Sequence, residues 1–128
     1  KEVEIAQKIL EIPFDLTLEF HEDCDSNGYY LFQKENFLSN PPLGRKILEA
    51  VEPIMEINKS AEIEELPADN GLISQLKEPD GMDWWPMALY SYHVGCKRSF
   101  TLETAPIFPM NVRVSAHLKA IATALECY

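Results

Sequence analysis

Phe14-Asp-Leu-Thr-Leu-Glu-Phe-His21-Glu-Asp-Cys-Asp-Ser-Asn-Gly28 is the stretch whose reading decides the fold. Phe14, Leu16, Leu18 and Phe20 alternate with Asp15, Thr17 and Glu19. That period of two predicts a strand over 14–20 with one apolar and one polar face. His21 then stands at the strand's carboxyl end, and Glu22, Asp23 and Asp25 follow in a loop closed by Gly28. Ligands of open α/β sheets bind beyond the carboxyl ends of the strands, so His21 is the first candidate functional residue.

Working outward, Ile5, Ala6, Ile9 and Leu10 share one face of a helix over 2–12, which Pro13 stops. Tyr29 to Gln33 reads as a short aromatic strand. Asn40-Pro-Pro opens a helix carrying Leu43, Ile47, Leu48 and Val51, and Pro53 ends it. Residues 59–71 read as an exposed acidic connection with a short strand at 61–65, and Leu72 to Leu76 as another strand. Pro79-Asp-Gly81 marks a turn; an aromatic helix over Met82 to Tyr92 follows, closed by Gly95. A strand over Arg98 to Thr104 precedes a proline-bracketed loop and a last helix from Met110. That helix aligns Val114, Leu118, Ile121 and Leu125. Alternation of strands and helices implies an α/β fold with a mainly parallel sheet flanked by helices.

Length permits a single domain of 128 residues, or the C-terminal portion of a longer catalytic domain. The chain begins at Lys1, part-way into a helical pattern, which suggests the remainder of something longer. A net charge of −10 argues against nucleic acid or an anionic membrane as partner. Cys24, Cys96 and Cys127 are odd in number and lack C-x-x-C spacing, which suits a reducing, cytoplasmic compartment rather than a disulfide framework.

Several motifs bear on chemistry. Asp23, Asp25, Asn27 and Gly28 match the opening of a calcium loop, but Lys34 stands where the bidentate Glu is required, and a tight turn at Asn27-Gly28 explains the same letters. His21 beside carboxylates suits zinc, although a lone histidine at a strand end is commonly a surface residue. No H-x-x-E exists, since Cys24, Cys96 and Ala120 lie three residues after the three histidines. Glu103, in an otherwise apolar and β-branched strand, is either an edge carboxylate or a partly desolvated general base. Neither a G-x-S-x-G elbow nor a glycine-rich phosphate loop is present.

Taken in order, the strand ending at His21, Gly81-Met-Asp83-Trp84, Ser99-Phe-Thr-Leu-Glu103 and the proline-led terminal helix resemble the C-terminal half of the zinc carboxypeptidase family. Its succinylglutamate desuccinylase and aspartoacylase branch shares this plan. The resemblance implies that His21 is the third ligand of a Zn2+ cofactor and that Glu103 is the catalytic base. It places Glu22, Asp23, Asp83 and Trp84 near the substrate, a peptide or N-acyl amino acid. It also implies that the other two zinc ligands, an H-x-x-E pair, belong to an N-terminal half that this chain lacks. A non-catalytic binding module with the same fold is the alternative.

Overall fold

The computed structural model describes residues 2–35, 41–76 and 86–128. Asp83 and Trp84, and the turn before them, lie outside the described residues.

Helix α1 (Glu2–Leu10) leads into strand β1 (Leu16–Glu22), which begins and ends two residues later than the alternation from Phe14 predicts. His21 and Glu22 are therefore paired strand residues. Strand β2 (Tyr30–Glu35) and helix α2 (Leu43–Val51) follow. Next come β3 (Glu62–Ile63) and β4 (Leu66–Pro67), which pair as a small antiparallel hairpin, and then β5 (Leu72–Ile73). Helix α3 (Met87–His93), strand β6 (Arg98–Thr104) and helix α4 (Met110–Cys127) complete the chain. Gly95 takes φ +111°, the left-handed turn that ends α3 and that a side chain would resist.

The main sheet has the order β1-β6-β2-β5. β6 runs parallel to β1 and antiparallel to β2, and β2 runs parallel to β5, so the α/β sheet is mixed and mostly parallel. The last strand is thus inserted between the first two. Because β6 separates them, the 23–28 loop is a crossing connection and not a hairpin. It passes the carboxyl end of β6, where the Asp23 N–H donates to the Thr104 carbonyl at 2.9 Å. The tight turn expected at Asn27-Gly28 gives way to this crossing. Gly28 is required there because a Cβ would lie 2.8 Å from the Glu56 carbonyl oxygen and the Asn58 nitrogen.

The two faces of the sheet divide as alternation requires. Leu31, Phe100 and Leu102 are buried in the main core with Leu43, Ile47, Leu48 and Val51 of α2, and Leu16 and Leu18 pack against it. The opposite face carries Thr17, Ser99 and Ser91, whose hydroxyls hydrogen-bond one another at 2.9–3.1 Å and tie α3 to the sheet. On that side Tyr30 and Ile73 meet Ile63 of the hairpin, with Phe32 and Leu66 packed alongside.

Both flanking helices depart from the expected apolar faces. α4 buries Ala116, Ala120, Thr123 and Ala124, and leaves Val114, Leu118 and Leu125 exposed. Small side chains let α4 approach a core already filled by α2 and β6. α1 buries no residue, and Ile5 and Ile9 are more than half exposed.

Candidate functional site

The register of β1 on β6 sets His21 directly opposite Glu103 and Glu19 opposite Thr101, all on the face away from the main core. β2 brings Tyr30 opposite Glu103 from the other side. His21 and Glu103, far apart in sequence, therefore meet because parallel pairing aligns two strands at their carboxyl ends. His21 Nδ1 lies 3.9 Å from Glu103 Oε1, and His21 Nε2 lies 3.4 Å from Glu19 Oε2.

Glu103 is 7% exposed, and its Oε2 is buried with no hydrogen-bond partner among the described residues. An unpaired buried acceptor costs about 1–3 kcal/mol, so a folded chain keeps few of them. Burial pushes the Glu103 carboxyl up to about 7, and the charges of Glu64, Asp23 and Glu19 push it the same way. Burial raises Glu19 as well, against the pull of His21.

Tyr30 binds the acidic cluster together. Its hydroxyl lies 2.5 Å from Glu64 Oε1 and 3.0 Å from Asp23 Oδ2. One O–H proton serves one of these at a time, so carboxylate acceptors outnumber donors here. Burial and the two carboxylates hold the phenol well above its ordinary range. Asp23 also accepts the Asp25 N–H through Oδ1 at 2.8 Å. Asp23 thus serves the loop and Tyr30, and the 23–28 letters form a turn within a crossing loop rather than a calcium frame.

Glu64 arrives by a strained route. Glu64 and Glu65 form the two-residue turn of the β3–β4 hairpin with φ values of 49° and 60°. Positive φ at both positions suits Asn-Gly, and non-glycine residues there cost roughly 1–2 kcal/mol each. The strain carries Glu64 to Tyr30 and to within electrostatic reach of Glu103. Sequence reasoning placed Glu64 in an exposed connection and gave Tyr30 no role. The only local signal was Ile63 and Leu66 flanking two glutamates.

Glu22 goes elsewhere. Its side chain is ion-paired with Arg113 of α4. His117, also of α4, stands 3.3 Å from the Tyr29 hydroxyl through Nδ1 and stacks edge-on against Phe20, and its burial lowers its pKa. All three cysteines are free.

A cavity of about 1020 Å³ opens beside the cluster. Glu19, Glu64, Glu103 and His21 are its polar end, and Ile9, Leu10, Phe32, Leu66 and Met87 give it apolar walls. No lysine or arginine is among the described residues that line it. Among the described residues no group of three His, Cys, Asp or Glu side chains could hold a metal ion. No helix among them is long and apolar enough to cross a membrane.

The raised Glu103 pKa has a stability consequence with a definite sign. A carboxyl lifted from 4.5 to about 7 holds its proton more tightly in the folded chain than in the unfolded one. The metal-free chain therefore loses stability as pH rises from the lower value to the higher and is flat above it, by on the order of 2–3 kcal/mol. Glu103→Gln removes that slope. Urea unfolding at pH 5 and pH 8 is expected to show the variant gaining on the parent at the higher pH, and parallel pH profiles would contradict it.

No model of a protein family matches the chain, and no curated protein matches it. Solved structures do. A protein named as a putative metallopeptidase from Shewanella denitrificans OS217 superposes with a TM-score of 0.77 at 20% identity, over 96% of this chain and 44% of its own. One of the same description from Shewanella baltica OS155 gives 0.76 at 19% identity, over 98% and 45%. A third, from Shewanella amazonensis SB2B, gives 0.76 at 17%, over 97% and 44%. The chain thus shares the fold of the matched part of these proteins and spans less than half of their length.

Proposed function

We propose that this chain carries part of the catalytic centre of a zinc-dependent hydrolase of peptide or amide bonds, with Glu103 as general base and His21 as one zinc ligand. The observation that carries the reading is the Glu103 carboxylate: buried, without a hydrogen-bond partner at Oε2 among the described residues, raised to about 7 and 3.9 Å from an imidazole at the carboxyl ends of two parallel strands. A carboxyl of near-neutral pKa can take a proton and return it within one cycle at physiological pH. The fold-level likeness to metallopeptidases agrees with this chemistry.

By charge the site favours a cation, although the described residues include no group of three side chains that could hold a metal ion. Carboxylates crowd a cavity whose described lining has no lysine or arginine, and one buried acceptor has no donor among the described residues. Glu19 beside His21 Nε2 favours the proton on that nitrogen, which leaves the Nδ1 lone pair on the Glu103 side. Zinc, when bound, supplies Lewis acidity toward the attacking water and the scissile carbonyl. The described residues offer His21 alone as an imidazole at this point, so further ligands come from outside them.

The remaining steps belong to the chain's own residues. The Glu103 carboxylate accepts a proton from water as the water adds to the carbonyl carbon. The same carboxyl group then delivers that proton to the leaving amine nitrogen as the carbon–nitrogen bond breaks. The apolar walls beside it exclude bulk water and accommodate an apolar part of a peptide or N-acyl amino acid.

Zinc titration at pH 7.5 separates the roles. His21→Ala is expected to weaken zinc binding by at least the about 10–100-fold that loss of a supporting residue costs. Equal affinity in parent and variant would remove His21 from the ligand set.

A further inference from the structure

Glu64 stands where two cavities meet. On one side is the large cavity of about 1020 Å³, whose polar end also holds Glu19 and Glu103. On the other is a smaller one of about 400 Å³, where Asp23, Asp25 and Glu62 join Glu64 in the lining. Neither has a lysine or arginine among its described lining residues. Nearby cations are engaged elsewhere. Lys59 lies in sequence between Asn58 and Ser60 of the smaller lining, yet its ammonium pairs with Glu52 at 2.6 Å. Glu22 holds Arg113, and Asp15 holds Lys97 at 2.6 Å.

The imidazole beside Glu103 does not account for this charge. β6 carries Glu103 between two neighbours. His21 comes from β1, whereas Tyr30, with Glu64 and Asp23 at its hydroxyl, comes from β2. Tyr30 has a single proton for two carboxylates. Glu103, 7% exposed, adds an Oε2 that has no hydrogen-bond partner among the described residues, at the polar end of the same cavity. Buried acceptors are normally satisfied, so N–H donors brought by a ligand complete this corner.

We propose that the corner at Glu64 binds a cationic nitrogen of the substrate, an ammonium or guanidinium whose stem lies along the apolar wall of the larger cavity. Leu66, two residues on in the same hairpin, lines that cavity with Phe32 and Leu76. A methylene stem therefore has apolar surface to cover on its way to the carboxylates. A lysine or arginine side chain has this form, and so does a free amino terminus beside an apolar residue. A substrate with an acidic side chain is disfavoured, because like charges would meet where no described cation relieves them. Glu64 is held for this task at a φ of 49°, the kind of backbone strain that clusters at ligand clamps. The inference rests on the hydrolase reading for its substrate, so its test reads binding to the metal-free protein, without turnover.

Isothermal titration calorimetry at low salt, with three dipeptide amides, supplies that test. Acetyl-phenylalanyl-lysine amide is expected to bind at least about tenfold tighter than acetyl-phenylalanyl-norleucine amide, which keeps the stem and lacks the ammonium. Phenylalanyl-norleucine amide carries its charge on the amino terminus, and a preference for it instead assigns the cation to that source. In Glu64→Gln the preference shrinks to about twofold or less. Glu126→Gln removes an equal charge from the exposed end of α4 and leaves the preference intact. Equal binding of all three amides to the parent chain would overturn the proposal. So would a preference that survives Glu64→Gln, since it would then come from the net charge of −10 alone. A chain that keeps the preference but hydrolyses nothing when loaded with zinc would sink the hydrolase reading and leave the cation site in place. A chain that hydrolyses without the preference would do the reverse.

Discussion

Glu103→Gln lowers kcat for peptide or N-acyl amino acid hydrolysis by about 10²–10⁴-fold, with KM little changed. The reason lies in what glutamine keeps and what it loses. It preserves the volume and the packing beneath Tyr30, so the cavity that receives the substrate is intact. It cannot take a proton from water or return one to the amine. A residue that acts only as part of the binding surface would show the opposite division, a raised KM at constant kcat. The assay is steady-state kinetics on zinc-loaded polypeptide that hydrolyses such substrates, with zinc content measured in parallel so that metal loss is not read as base loss. A variant with undiminished kcat removes Glu103 from the chemistry. The pH response supplies an independent check, since a base whose pKa is about 7 in the metal-free chain is tuned by desolvation and by Glu64, Asp23 and Glu19. Glu64→Gln removes one of those charges without touching the base, and moves the Glu103 pKa downward.

Phe100→Ala destabilises the chain by about 3–5 kcal/mol. Phe100 is fully buried in the main core, on the central strand of the sheet, opposite Leu18 of β1 and Gln33 of β2. Ala116, Ala120 and Ala124 of α4 belong to the same core, and alanines have no side-chain length with which to fill a void. The cavity left by the ring therefore stays largely open, and the cost sits toward the upper part of that range. Equilibrium urea unfolding measures it. A loss below about 1 kcal/mol would mean that α4 collapses onto the strand, and would overturn the view of that helix as already at its closest approach. Because Phe100 and Glu103 lie on opposite faces of β6, the loss is one of core packing and leaves the Glu103 face of the strand in place.

Much of this was legible residue by residue. Alternation from Leu16 to Phe20, and the run Arg98 to Thr104, announced two-faced strands, and the strand that carries Glu103 has the expected bounds. The apolar positions of α2 were all legible, and all of them are buried. Glu103 stood out because a carboxylate in such a strand needs a reason. Tyr30 and Glu64 did not stand out. One looks like any aromatic in a strand, and the other like any glutamate in an acidic connection. They acquire a role only when a strained hairpin turn sets Glu64 against the Tyr30 hydroxyl. Asp83 and Trp84 lie outside the described residues and take no part in the comparison.

The division has a physical basis. Strand and helix periods are set by backbone dihedrals, which each residue and its near neighbours constrain, so the sequence by itself determined the elements and the α/β class. Which strands become neighbours depends on contacts between residues far apart in the chain. Insertion of β6 between β1 and β2 created the His21–Glu103 pair and forced the 23–28 loop across the site. Tertiary packing likewise chose the alanine face of α4 over its larger apolar residues, because α2 and Phe100 had already filled the core. Local patterning supplied the parts. Only the register of β1 on β6, held by pairing between distant residues, brought the acid and the imidazole to one place.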